Sequence, residues 1–173
     1  MTQQNSRLRL IMDWRAAVIA GVIAGLLTML LWIILLALTT GGSLWAPFHH
    51  VAAILLGENS LTPSQSIDWQ IVLTGMVIHM VLAVFYAVIL AFIVHRWGLA
   101  VGIIGGAIFG LALYAINYYT FTALYPWFYP LRSWIALVGH IFFGAVAGGV
   151  YEGLERDIYV VEEASSTDPS LSA

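Results

Sequence analysis

The chain has 173 residues, of which 61% are hydrophobic and 9% are charged, and its formal net charge is −3 at pH 7. About a quarter of the residues of a soluble domain are charged, so this composition excludes an ordinary soluble fold and indicates a protein of the lipid bilayer. The acidic balance indicates no nucleic-acid partner, and the absence of cysteine excludes disulfides, thiolate metal sites and cysteine nucleophiles.

The first part of the chain predicts one membrane-spanning helix followed by a long outer connection. Residues 1–15 form a polar, basic segment, and the uncharged run 16–38 is long enough to cross the hydrocarbon of a bilayer. This run is longer than the apolar core of a signal peptide and has no clear cleavage site, which favours a retained helix. In the connection, the apolar segment 45–57 is too short to span and predicts an interfacial or re-entrant amphipathic helix.

Three further spans are predicted at about 69–94, 99–120 and 132–151, bounded by aromatic and basic residues. The segment 152–173 is acidic and ends in a serine-rich stretch, which predicts a disordered tail. Five of the six arginines fall on the side of the chain termini in this four-span arrangement, and that side is therefore predicted to be cytoplasmic. The sequence predicts an all-α, multi-pass protein of the cell inner (plasma) membrane with both termini in the cytoplasm.

Two of the predicted spans share a pattern in which one histidine is followed by small residues at intervals of four. In the second span His79 is followed by two alanines, and in the fourth span His140 is followed by Gly144 and Gly148. Residues four positions apart lie on the same face of a helix. The first and third spans share a glycine-rich stretch, so we predict two tandem helical hairpins that form a parallel pseudo-repeat.

Seven glycines lie at small-xxx-small spacing on the first, third and fourth predicted spans. Such residues let helix backbones approach closely, which matters in lipid because no hydrophobic force drives helices together there. The glycines are Gly21, Gly25, Gly102, Gly106, Gly110, Gly144 and Gly148. The spacing leaves open whether they pack within one chain, in a homo-oligomer or against other membrane-protein subunits.

His79 and His140 are the candidate site residues, because ionisable side chains within a span are rare and mark functional sites by default. The four-span arrangement places both at a similar depth near the middle of the bilayer. Three interpretations stay open. In the first the histidines form hydrogen bonds between helices, in the second they are ligands of haem b or of half a metal site, and in the third they are stations of a conduction path with Asn117, Tyr114 and Tyr86.

His49 and His50 are neighbours in the outer segment 45–57. On a helix adjacent side chains point about 100° apart, so this pair cannot chelate one ion without a bend. The ordinary interpretation is an interfacial loop. The functional alternative is an outer lid, from which one histidine of the pair faces a central cavity above His79 and His140.

The run 47–57, with its Ala-Ala and Leu-Leu-Gly steps, and the spacing of His140, Gly144, Gly148 and Tyr151 resemble small, uncharacterised four-helix membrane proteins of bacteria. The resemblance implies the architecture and a bacterial origin, but it transfers no catalytic residue. We find no Ser-His-acid set at a plausible depth, no glycine loop that would bind phosphate, and no carboxylate pair within the predicted spans. The favoured function is therefore a non-enzymatic structural or accessory membrane subunit, and a haem- or metal-binding redox subunit and a small-solute or proton transporter are the alternatives.

Overall fold

The structure is a computed structural model that describes residues 6–40, 43–62, 67–156 and 158–163. Its helices, in chain order, are α1 (Trp14–Thr40), α2 (Ala46–Leu56), α3 (Trp69–Val94), α4 (Leu99–Ala115) and α5 (Trp134–Leu154). A π-helical turn extends α4, and short 3₁₀ segments follow α2 and precede α5; they are Ile116–Thr120, Glu58–Leu61, Phe121–Ala123 and Pro126–Leu131.

Four of these helices, α1, α3, α4 with its extension, and α5, are long and apolar enough to cross a membrane. The predicted multi-pass helical architecture is thus confirmed at this level. The span predicted at 69–94 coincides with α3. α1 extends two residues beyond the predicted span 16–38 at each end. α5 begins two residues later and ends three residues later than the predicted span 132–151.

Polar side chains and glycine mark the beginnings of the spanning helices. Asp13, Asp68 and Ser133 lie just before α1, α3 and α5, and each side chain accepts hydrogen bonds from backbone N–H groups of the first turn. These bonds satisfy donors that a helix leaves unpaired at its start. Gly98, between α3 and α4, has φ = +81°, a conformation that costs glycine little because it lacks Cβ.

Two strands that the sequence analysis did not predict join the ends of the chain. Strand β1 (Ser6–Ile11) pairs antiparallel with β2 (Ile158–Glu163), with Ser6 opposite Glu163 and Ile11 opposite Ile158. The structure therefore differs from the predicted disorder of 152–173, since α5 continues to Leu154 and a strand follows it; residues 164–173 lie outside the described part. β-branched and aromatic residues dominate the start of β2, and these favour strands.

The bundle has two ends that differ in structure. We call the end that carries β1 and β2 the terminal end, and the opposite end, with α2 and the segments before α5, the loop end. α1 contacts both α3 and α5, while α4 packs mainly on α5. Buried alanines of α1, among them Ala17, Ala20 and Ala24, meet alanines of α3 and α5 in the core near the terminal end.

Glycines allow the backbones of α4 and α5 to touch. A Cβ atom at Gly106 would overlap the carbonyl group of Gly144, and one at Gly144 would overlap that of Gly106. Gly102 and Gly148 form a second contact of this kind one turn away. In this structure the two helices therefore meet through their glycines within a single chain.

α2 packs against α3 at the loop end. The carbonyl group of Phe48 lies directly against Gly75, where a Cβ atom would have no room, and Ala52 and Ala53 are fully buried. The structure thus contains a short helix within the predicted segment 45–57. Its position relative to the membrane, interfacial or re-entrant, stays a prediction.

Candidate functional site

A cavity of about 450 Å³ lies between the helices towards the loop end. Side chains of α1, α2, α3, α5, the end of α4 and the aromatic segment before α5 line it, and most of its wall is aliphatic or aromatic. No Asp, Glu, Lys or Arg occurs among the described residues that line it. The lining residues with polar atoms are Thr28, Trp32, His50, His79, Tyr86, Asn117, Tyr118, Tyr125 and His140.

The structure brings His79 and His140, the two histidines singled out from the sequence, to the same cavity. His140 uses both of its ring nitrogens. Its Nδ1 lies 2.7 Å from the carbonyl oxygen of Ala136, and its Nε2 lies 3.1 Å from the side-chain nitrogen of Asn117. A carbonyl can only accept and an amide NH₂ can only donate, so this network assigns the proton to Nδ1 and makes the ring neutral.

Aromatic rings surround His140. Tyr114 and Tyr118 approach its ring edge-on, with centroids 5.9 and 5.8 Å away, and the Trp32 ring lies at 6.1 Å. Edge-on contacts at these distances are favourable for aromatic rings. His140 is therefore fixed both by hydrogen bonds and by ring packing, which makes it a rigid part of the cavity wall.

The π-helical turn Ile116–Thr120 places Asn117 and Tyr118 at the cavity. Single π-helical turns within α-helices are rare and occur frequently at functional sites. The extra residue in this turn changes which side chains face the bundle beyond α4. Asn117 was considered from the sequence as a companion of His140, whereas the sequence pattern gave no sign of the π-helical turn.

His79 makes a different connection. Its Nε2 lies 2.9 Å from the carbonyl oxygen of Gly25, so the ring donates a hydrogen bond from α3 to α1. Gly25 also packs closely against Ala83, one turn after His79. The ring therefore links two helices as well as lining the cavity, which agrees with the hydrogen-bonding interpretation of this residue.

In this arrangement the Nε2 atoms of both His79 and His140 are hydrogen-bonded. The Nε2 of His79 carries the proton that it donates, and the lone pair on the Nε2 of His140 accepts from Asn117. Haem ligation through these two Nε2 atoms would have to displace both hydrogen bonds, whereas Nδ1 of His79 keeps a lone pair. Within residues 6–40, 43–62, 67–156 and 158–163, no three side chains of the His, Cys, Asp or Glu type come together as a metal site.

The two histidines of α2 have separate surroundings. His49 is buried and its Nδ1 donates to the carbonyl oxygen of Ser60 at 2.7 Å, while His50 lines the cavity with Val51 and Ile54. Burial, and to a smaller extent the neighbouring His49, lower the pKa of His50. The structure thus agrees with the alternative in which one histidine of the pair faces the cavity.

Two polar groups of α1 that sequence reasoning missed complete the lining. Thr28 is only 4% exposed, and neither its Oγ1 nor the Nε1 of Trp32 has a hydrogen-bond partner within the described part of the chain. Thr28 and Trp32 follow Gly21 and Gly25 on one face of the helix, at positions i+7 and i+11 from Gly21. This spacing could have indicated from the sequence that both side chains face the interior of the bundle.

The lining can bind a molecule by hydrogen bonding and by apolar contact. It offers neutral histidine, amide, hydroxyl and indole groups, but no carboxylate beside them in the described structure. Comparison with protein-family models, curated proteins and solved structures finds no match to this chain. The function is therefore inferred from the cavity itself.

Proposed function

We propose that the chain is a non-enzymatic accessory protein of the bacterial inner membrane that binds a small apolar molecule between its helices. The observation that carries this proposal is the uncharged cavity of about 450 Å³ with its aromatic and aliphatic wall. Ligand pockets commonly enclose about 300–1,000 Å³ and combine an apolar lining with a few polar groups. A lipid-soluble ligand can reach such a site from the bilayer without passing through water.

The packing of the bundle supports binding rather than conduction. Towards the terminal end Gly21 lies against Val84 and Ala87, and Gly102 lies against Gly148, in contacts too close to admit a Cβ atom. On α4 and α5 the cavity lining stops before the contact of Gly102 with Gly148, and on α3 it ends at Tyr86, at the level of the Gly21 contacts. A conduction path would need polar groups or space to continue through this half of the bundle.

We further infer that the protein consists of two tandem hairpins with cytoplasmic termini. In the first hairpin Gly25 contacts the residue four positions after His79. In the second, Gly106 contacts the residue four positions after His140. These equivalent contacts support the pseudo-repeat, and the arginine distribution supports the orientation. Reporter domains fused to either terminus should both report the cytoplasm, and a reporter that is active outside would overturn the orientation.

The proposal can be tested with the full chain in lipid nanodiscs and a neutral, apolar fluorescent probe such as aminoanthracene. Leu82 of α3 lines the cavity, so Leu82→Trp should fill part of it and weaken saturable binding about tenfold or more, which corresponds to about 1.4 kcal/mol. Leu73 lies on the same helix and is 61% exposed on the lipid-facing surface. Leu73→Trp is the matched control and should bind the probe normally.

Two results would contradict this proposal. One is the absence of saturable binding to the unmodified protein. The other is equal binding by both tryptophan variants, because it would place the probe outside the cavity. Thermal unfolding of each variant establishes that it is folded, so that a loss of binding can be attributed to the filled space.

A further inference from the structure

The wall of the cavity contains two buried hydrogen-bond donors that have no partner in the described structure. They are the hydroxyl group of Thr28 and the indole N–H of Trp32. Buried polar groups are nearly always hydrogen-bonded, so each exception requires an explanation. An indole N–H can donate but cannot accept, and the missing partner of Trp32 must therefore be an acceptor.

The two donor residues lie about one turn apart on α1. Thr28 and Trp32 are four residues apart on α1, which corresponds to a rise of about 6 Å, and both line the cavity. The Nε1 atom of Trp32 lies beside Gly139, where the absence of a Cβ atom makes room for it. Both donor atoms are shielded from the cavity, so a ligand reaches them through rotation of the Thr28 and Trp32 side chains, without movement of the helix.

Neighbouring polar groups do not supply the missing acceptor. Asn117 and His140 hydrogen-bond to each other, and His79 donates to the carbonyl group of Gly25. An ionised ligand would be buried without a counter-charge, because the described lining contains no acidic or basic residue other than histidine. The complementary ligand is therefore uncharged, with an apolar body for the aromatic wall.

We propose that the cavity binds an uncharged hydrophobic molecule through a carbonyl oxygen that accepts hydrogen bonds from Thr28 and Trp32. This inference rests on the proposed function and specifies the class of ligand. A quinone ring and the ester of a neutral lipid both present such an oxygen on an apolar body. The shared feature is the carbonyl acceptor, and the experiment below separates the two sources.

The test uses displacement of the neutral fluorescent probe from the full chain in nanodiscs. Four competitors share a ten-carbon chain: decylbenzoquinone, monodecanoylglycerol, decylbenzene and decanoate. The first two carry a carbonyl acceptor, decylbenzene carries none, and decanoate is an anion. We expect one or both carbonyl compounds to bind at least about fivefold more tightly than decylbenzene and decanoate, as expected for added hydrogen bonds. The tighter of the two carbonyl compounds identifies the source.

Three variants test whether the preference for carbonyl compounds depends on the Thr28 and Trp32 donors. Thr28→Val removes one donor at nearly constant size and should weaken binding of the preferred carbonyl compound about fivefold, while decylbenzene binds unchanged. Trp32→Phe removes the other donor together with part of the aromatic wall, so it should weaken binding of the carbonyl compound more than that of decylbenzene. Thr39→Val is the control on the same helix, because the Thr39 hydroxyl already donates to the carbonyl oxygen of Leu35 at 2.6 Å on an exposed surface. It should leave the affinity of every competitor unchanged.

The outcomes separate this inference from the proposed function. If decylbenzene or decanoate binds as tightly as the carbonyl compounds, the carbonyl inference is wrong although the cavity still binds ligands. If no competitor displaces the probe and the probe itself does not saturate, the proposed function is wrong as well. Should the Thr28 or Trp32 variant fail to fold, the comparison of competitors on the unmodified protein still decides the question.

Discussion

Replacing Gly106 by alanine would place a methyl group against the backbone carbonyl of Gly144, where α4 crosses α5. A carbonyl group within a helix cannot turn aside as a flexible side chain can, so the two helices have to separate locally. Overpacking of this kind costs about 1–3 kcal/mol. Alanine recovers up to about 1 kcal/mol through its better helix propensity. Because the clash is with backbone, the cost should lie in the upper half of its range, about 2–3 kcal/mol, and the net loss in the free energy of unfolding should be about 1–2 kcal/mol.

The neighbouring glycine is a matched control. A Cβ atom at Gly105 would meet only Val94, with its Cγ1 at 3.6 Å, which is an ordinary van der Waals contact. Gly105→Ala should therefore be neutral or should stabilise the protein by up to about 1 kcal/mol. The free energies can be compared by titrating a denaturing detergent into the micelle-bound protein and following helicity by circular dichroism. Equal effects of Gly105→Ala and Gly106→Ala would refute the close contact between α4 and α5.

Three further predictions concern the histidines. Asn117→Leu should lower the free energy of unfolding by about 1–3 kcal/mol, because it leaves Nε2 of His140 unpaired, and the added change His140→Phe should recover part of this loss in thermal unfolding. Burial lowers the pKa of His50, so the unfolded chain binds a proton below about pH 6.5 that the folded chain does not. The melting temperature of the unmodified protein should fall as the pH decreases from 7 to 5, and that of the His50→Gln variant should fall less. An equal fall in the two proteins would contradict a contribution from the lowered pKa of His50. The purified protein should show no Soret band, because Nε2 of His79 and of His140 are hydrogen-bonded; a band that His79→Ala abolishes would contradict this.

The positions of the spanning helices could be predicted because hydrocarbon thickness sets a minimum length of uncharged sequence. α3 begins at Trp69 and ends at Val94, between the polar Asp68 and His95, and the predicted span has the same bounds. The strands β1 and β2 could not be predicted in the same way. Their pairing joins residues more than 140 positions apart, and it depends on the four spans bringing both ends to one side of the bundle.

The candidate site could be predicted in part. His79 and His140 are conspicuous because histidine is rare in a spanning helix, and the structure places both at the cavity. Thr28 is not conspicuous, because a threonine within a helix commonly donates to the carbonyl four residues earlier and is then satisfied. Thr39 makes that bond and Thr28 does not. This difference arises from tertiary packing, and residue spacing does not reveal it.

The cavity results from a change of side-chain size along the helices. Near the terminal end, glycine and alanine bring the backbones together, and on α4 this contact continues to Gly110, which lies against the carbonyl group of His140. Beyond that point the π-helical turn and large side chains such as Trp32 and Tyr118 follow, and these line the cavity. Close packing of one half therefore determines the spacing of the other half. A variant that separates α4 from α5 should lower both stability and ligand binding, whereas Thr28→Val, which removes an unpaired buried donor at nearly constant size, should weaken ligand binding without lowering stability.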